Sequence, residues 1–280
     1  IWAWQAVIGA TGYKYNTTPD YNSATDNNII TSVKISGLNY NSSYNLYVWA
    51  YNACGNSNYL LLTKTTLPFN CGVDNVTFTY NSSQVTYGSV SGQYNSGQYC
   101  WLDRNLGAAS VATASNHYNG YGDLFQWGRL SDGHQLRSPI SGATTTQSSS
   151  TNPGHPNFIY NSYNWYTGST NLWQGVSGVN NPCPSGWRVP TETELNNESL
   201  SWGGGRKISG AISSVLKVPA AGYRNYDSSS TINSEGTQGC YWTSTMGSSN
   251  YARSYTFSSS NDEINTPLRS FGRSVRCIKD

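Results

Sequence analysis

Cysteine, tryptophan and glycine recur in short, ordered clusters toward the C-terminus, and these clusters constrain the fold more than any other feature. They are Cys183-Pro184-Ser185-Gly186-Trp187-Arg188-Val189-Pro190, Gly222-Tyr223, Tyr241-Trp242-Thr243-Ser244-Thr245 and Ser274-Val275-Arg276-Cys277. A chain with 22 Tyr, 10 Trp and 28 Gly but only 11% charged residues must build its interior largely from rings. Each such ring can bury about 150 Å² or more. Solubility then falls to the amide and hydroxyl groups of Asn, Ser, Thr and Tyr. Disorder calls for few aromatics and high net charge. This chain has many rings and a formal charge of +2, so strands and long polar loops are expected. None of the clusters is a catalytic signature, which points to holding or displaying a surface.

At 280 residues the chain exceeds the usual single-domain size, and two domains are expected. Its 16 basic residues are dispersed, with no run longer than Arg206-Lys207. Nucleic-acid binding needs a concentrated basic face and is not expected. No stretch reaches the roughly 18 to 20 apolar residues of a membrane helix, so the chain reads as not membrane-spanning. Ile1 to Ala10 lacks the basic start of a signal peptide. A chain that begins after processing, or one piece of a longer protein, is the expectation.

The six cysteines are Cys54, Cys71, Cys100, Cys183, Cys240 and Cys277. An even number in a strand-rich chain of low charge reads as disulfides formed in an oxidising compartment. No two lie within a few residues, and His117, His134 and His155 are isolated, so neither a metal nor another cofactor is expected. Cys54–Cys71, which would clamp the strand between them, and Cys183–Cys277 are the preferred pairs, with no cysteine left over.

Residues 1 to 67 read as short strands separated by Gly, Asn and Ser turns, the pattern of a sandwich. The strands are Ile1 to Trp4, Ala6-Val7, Tyr13 to Tyr15, Val33 to Ile35, Tyr44 to Ala50 and Tyr59 to Thr65. Trp4, Gly9-Ala10-Thr11-Gly12-Tyr13, Leu38 and the run Tyr44 to Asn52 make residues 1–68 resemble a partial fibronectin type III domain. The strand that such a domain carries ahead of Trp4 is absent. A sandwich lacking an edge strand leaves backbone groups unpaired. The expectation is that the missing strand comes from elsewhere in the precursor or from a neighbouring chain.

Beyond the linker Leu67 to Asn70, Val76 to Tyr80 and Val85 to Tyr87 read as strands. Residues 131 to 182 show no periodicity, and a loop of that length needs pinning. Phe158, Tyr160, Tyr163, Trp165, Tyr166 and Trp173 are the candidate pins. Thr191 reads as a helix cap with Glu194 folding back to it, and Val218 to Tyr223 and Val275 to Cys277 read as strands. Cys100 to Leu106, Tyr121 to Gly128, Cys183 to Thr191, Ala221 to Arg224, Tyr241 to Thr245 and Arg273 to Asp280 make residues 74–280 resemble the Fibrobacter succinogenes major paralogous domain of Bacteroidetes-type surface proteins. That resemblance implies a C-type-lectin-like fold and no established activity. The fold class expected is therefore mostly β with an α+β C-terminal part: a fibronectin-like sandwich, then a lectin-like module with long loops.

Trp187 and Trp242 read as core, and Arg188 and Arg276 as partners of carboxylates or carbonyls, with Asp103, Glu192, Glu194 and Asp280 the acids at hand. Calcium-dependent sugar binding needs clustered oxygen ligands. The lectin signatures Glu-Pro-Asn, Gln-Pro-Asp and Trp-Asn-Asp are missing, and Asn261-Asp262-Glu263 with Asn265 fits a solvated turn. Cys240 and Cys277 could be imagined as a reactive thiol pair, but no unpaired cysteine is expected to support it. No nucleophile elbow is present, so no enzyme is expected. The stretch from 241 to 273 offers Asn250, Tyr251, Arg253, Tyr255, Asn261, Asn265 and Arg269 as a candidate ligand-contact face. Tyr, Ser and Asn make adaptable contacts of this kind. Sequons at Asn16, Asn41, Asn75, Asn81 and Asn197 leave glycosylation open. The expected role is that of an extracellular or cell-surface adhesive or structural protein. Its partners would be copies of itself, another surface protein, or glycans.

Overall fold

A computed structural model describes residues 1–138, 142–168, 172–227 and 231–280. The chain divides into two compact units, Ile1–Asn70 and Cys71–Asp280.

The first unit contains β1 (Trp2–Ala3), β2 (Gly12–Asn16), β3 (Thr25–Asp26), β4 (Ser32–Val33), β5 (Ser43–Asn52), β6 (Gly55–Asn56) and β7 (Leu60–Thr65). β5 is the spine: β2, β6 and β7 all pair with it antiparallel, and β3 extends the sheet beyond β2. β1 pairs with β4, Trp2 opposite Val33. Period-two alternation sends Leu46 and Val48 of β5 inward, where they meet Trp2, Trp4 and Tyr13. Trp4 and Tyr13 meet edge to face, with ring centroids 5.8 Å apart. Rings therefore occupy the places that aliphatic side chains fill in most sandwiches. Ala6-Val7 forms no strand and instead leads into a turn closed by the Ala10 N–H donating to Val7 O.

The second unit opens with two hairpin strands, β8 (Val76–Tyr80) and β9 (Ser83–Tyr87), followed by β10 (Ser89–Ser91), β11 (Cys100–Leu102) and β12 (Phe125–Gln126). Next come β13 (Ala143–Thr144), β14 (Phe158–Ile159), β15 (Trp187–Arg188), α1 (Glu192–Leu200) and α2 (Ile208–Ser213). The chain ends with β16 (Tyr223–Arg224), β17 (Ile232–Asn233), β18 (Gln238–Met246), β19 (Ala252–Ser258), β20 (Asp262–Asn265), β21 (Gly272–Arg273) and β22 (Ile278–Lys279). Two four-stranded sheets, β10-β11-β22-β15 and β12-β21-β16-β17, accompany the antiparallel β18-β19-β20 sheet. The architecture is thus mostly β and multi-sheeted, with two helices in its C-terminal half and no closed barrel among the described residues.

α1 begins where the sequence places it. Thr191 Oγ1 accepts from the Glu194 N–H, and the Glu194 carboxylate accepts from the Thr191 N–H, a complete capping box. Leu195 of α1 then packs with Trp101, Trp202, Tyr241, Tyr255 and Phe257 in the main core.

Four further sequence expectations are corrected. Cys71 bonds Cys100, and Cys183 bonds Cys277, so Cys54–Cys71 does not form. Cys71 lies beside β10, whose Ser91 sits opposite Cys100, whereas exposed Cys54 caps the hairpin between β5 and β6. Cys54 and Cys240 are therefore both unpaired, contrary to the expectation that none would be. Val218 to Tyr223 is a strand only from Tyr223 onward. Val275 to Cys277 is not one either: Val275 O and Cys277 O accept from the N–H groups of Leu106 and Leu102, and pairing with β11 and β15 begins at Ile278.

Candidate functional site

The long aperiodic region is held by rings and guanidinium forks. Phe158, Trp165 and Trp173 are fully buried, Tyr160 and Tyr166 half-buried, and Tyr163, at 64% exposure, pins nothing. Trp127 Nε1 donates to Thr243 O, and Trp242 Nε1 donates back to Phe125 O, each at 2.7 Å. Two indoles thus cross-staple β12 and its continuation to β18. A buried indole needs such a partner for its N–H.

Arginine performs the same task for loop carbonyls. Arg129 donates to His155 O, Asn157 O and the Asp132 carboxylate. Arg224 donates to His134 O and Leu136 O, and Arg137 to Gly122 O and Ala221 O. Arg269 holds Ser248 O and Tyr251 O, with its guanidinium 4.5 Å from the Trp127 ring. Arg276 reaches Leu102 O, Leu216 O and Asn105 Oδ1. Burial pulls Arg224, Arg269 and Arg276 down to about 10, and they stay protonated at neutral pH. A planar five-donor fork suits this role better than a lysine would.

Arg188 binds both oxygens of Glu194 at 2.6 and 2.7 Å and also Asp280 at 2.7 Å. Of the other acids singled out, Asp103 pairs with Arg104 and Glu192 with Arg253. Trp187 and Trp242 are buried, in keeping with a core role.

Two buried titratable groups stand out. His134 is held between the Gln126 N–H, which donates to Nε2, and Asp132 Oδ1, 2.6 Å from Nδ1. The acceptor role of Nε2 places the single proton on Nδ1, so the ring is neutral. Burial, then the neighbouring Arg129 charge, drives its pKa down to about 3. Asp123 accepts from Tyr80 Oη at 2.7 Å, and burial raises its pKa to about 6. Its carboxylate accepts from the Tyr80 hydroxyl and the Arg137 backbone N–H, with no second carboxylate bonded to it among the described residues.

The candidate contact residues lie on and around β18-β19-β20 but do not form one patch. Arg253 faces α1 and clasps Glu192, also reaching Thr266 Oγ1. Tyr255 points the same way into the core, fully buried between Trp202 and Phe257, its hydroxyl donating to Arg206 O. Asn265, opposite Ser254, belongs to the other face, where its amide meets Thr256 Oγ1. Arg269 is buried beneath the loop that carries Asn250 and Tyr251. Tyr251 is 40% exposed, Asn250 half-buried, and Asn261 exposed at the turn between β19 and β20.

A cavity of about 400 Å³ lies where Ser244, Thr245 and Met246 meet Gln174, Arg188 and Thr191. Its polar groups are largely engaged: Gln174 Nε2 donates to Ser244 O, and Thr245 Oγ1 accepts from the Glu192 N–H. Sequence reasoning named Ser244 and Thr245 within a motif but missed Gln174 and Met246, which no local signal links. Among the described residues, no group of three or more His, Cys, Asp and Glu is arranged to hold a metal ion. No helix among them is long and apolar enough to cross a membrane.

Fold and site together define a disulfide-stabilised, β-rich protein whose rings and arginines hold long loops in place. A family described as a domain of unknown function, DUF8237, matches residues 205–278, from just before α2 to β22. No curated protein and no solved structure matches the chain.

Proposed function

We propose that this chain is a non-enzymatic, extracellular or cell-surface protein with a structural or adhesive role, a filament subunit whose first unit is completed by a neighbouring chain. The observation that carries this reading is the use made of the ionisable groups. Arg129, Arg137, Arg224, Arg269 and Arg276 reach loop carbonyls, and Arg188, Arg253 and Arg104 are clasped by carboxylates. Such groups stiffen a display scaffold. Two disulfides in one chain fit an oxidising compartment. The resemblance of residues 1–68 to a partial fibronectin type III domain supports the reading, as does that of 74–280 to the lectin-like Fibrobacter succinogenes major paralogous domain.

The test is electron microscopy of the purified full chain over a range of concentrations, alongside incubation with a polysaccharide panel. Regular fibres with no release of sugar are expected. A dispersed monomer that hydrolyses a polysaccharide would overturn the proposal. A second reading is a receptor module for glycan or protein that uses the 241–273 loops. It rests on the exposed ring of Tyr251 next to Asn250, with the Arg269 guanidinium fixing that loop from below. Glycan-array binding lost in Tyr251→Ala, from a protein that stays monomeric, would favour it.

A further inference from the structure

The strand registers of the first unit place two apolar features at opposite ends. Gly12 of β2 faces Tyr51 of β5, so the turn before β2 and the hairpin after β5 share one end. Ser43 at the start of β5 faces Thr65 of β7, so residues 35–40 and 65–67 share the other.

At the first end, Ala10 N–H bonds Val7 O at 3.2 Å and Gly9 has φ +82°, a turn whose third residue needs a left-handed backbone. Ile8 is its second residue and stands fully exposed, with Val7 54% exposed beside it. Corners of this type ordinarily carry Pro or a small polar residue. The corner is also pinned: the Val7 N–H donates to Tyr13 Oη at 2.7 Å, and Asn52 Nδ2 donates to Gly9 O at 3.1 Å. An apolar knob is thereby held in a fixed shape, which lowers the cost of ordering it on contact.

At the other end is a groove of about 450 Å³ whose apolar lining includes Trp2, Ile35, Leu38, Tyr40 and Leu67. Lys64 is its charged member, and Lys64 Nζ already bonds Ile1 O. No charged residue lies between Ile1 and Tyr13, so the knob brings no charge to repel or bury.

We infer that the Val7–Ile8 corner of one copy seats in this groove of a second copy. The inference rests on the assembly reading above and names the surfaces involved. Knob and groove are different surfaces at opposite ends of one unit, so the contact is heterologous. Such a contact repeats as a linear chain of subunits unless its rotation closes a ring.

The test is sedimentation velocity of the full chain with Ile8→Asp and Leu67→Asp, both at strongly exposed positions, so that folding is undisturbed and can be confirmed by unchanged melting. Wild type should form a concentration-dependent series of oligomers. Each variant alone should stay monomeric, its association weakened on the order of tenfold or more. An equimolar mixture should give dimers and nothing longer, because one intact knob meets one intact groove. Assembly equal to wild type in both variants would overturn the inference while leaving the filament reading standing. Loss in Leu67→Asp but not in Ile8→Asp would assign the groove to another segment, again overturning it. A wild type that stays monomeric at every concentration would remove the assembly reading itself.

Discussion

Asp123 and His134 should nearly cancel each other's pH dependence, and replacing Asp123 with Asn should expose the imbalance. Burial raises Asp123 from 3.8 to about 6 in the folded chain. Its contribution is therefore fully present below 3.8 and is lost as pH rises through 6. Burial depresses His134 from 6.5 to about 3, so its contribution is present above 6.5 and is lost as pH falls. Between pH 5 and 6 the unfolded chain carries a proton on the histidine that the folded chain lacks. The folded chain carries one on Asp123 that the unfolded chain lacks. The difference in bound protons is close to zero, and each uncompensated proton is worth about 1.4 kcal/mol per pH unit. Wild-type stability should be nearly flat across that interval from these two groups. Asp123→Asn removes the acid's share, so its stability should fall by about 1 kcal/mol for each pH unit of acidification. Burial also raises Glu198, but Glu198 is present in both proteins and drops out of the comparison. Urea unfolding of the full chain at half-unit pH steps, with disulfides intact, reads the two slopes. Parallel slopes in wild type and variant would refute the protonation states assigned here.

Three further outcomes follow from the geometry. Cys183–Cys277 closes a separation of 94 residues and Cys71–Cys100 one of 29. Chain entropy then assigns about 4.7 and 3.6 kcal/mol respectively. Paired Cys→Ala variants in chemical denaturation should show the larger loss for the first bond, and the reverse order would count against the loop-closure argument. Thr191→Ala removes the oxygen that caps α1 and should cost about 1 kcal/mol by the same assay. An unchanged midpoint would mean the helix start is held by Arg188 and Glu194 alone. Gly222 has φ +67°, and a Cβ there would stand 2.3 Å from the carbonyl oxygen of Asn233. Gly222→Ala should cost more than about 2 kcal/mol, combining left-handed strain with a backbone overlap. A variant melting like wild type would show that β16 and β17 can separate at that point.

Much of the fold was legible because it depends on local chemistry. The alternation of β5 follows from period-two spacing, and the Thr191–Glu194 box from a three-residue offset. The burial of Trp187 and Trp242 follows from ring area in a chain poor in aliphatic alternatives. The candidate contact face was legible only as composition. Tyr255 and Arg269 are of the same residue types as the exposed Tyr251 and half-exposed Arg253, yet they lie inside. The pairing of β19 with β20 and the packing of α1 decide that difference, and neither is written in a residue's own identity.

By itself the sequence determined that this chain folds as β-rich units around rings, that it forms disulfides, and that a capped helix starts at Thr191. Those features follow from side-chain volume, polarity and short-range spacing. The tertiary structure decided which cysteines meet, leaving Cys54 and Cys240 unpaired, and which arginines hold which loops. It also set the Ile8 knob and the apolar groove at opposite ends of the first unit. Each of these joins residues far apart in the chain, and such distances are fixed by sheet register and packing rather than by neighbouring residues.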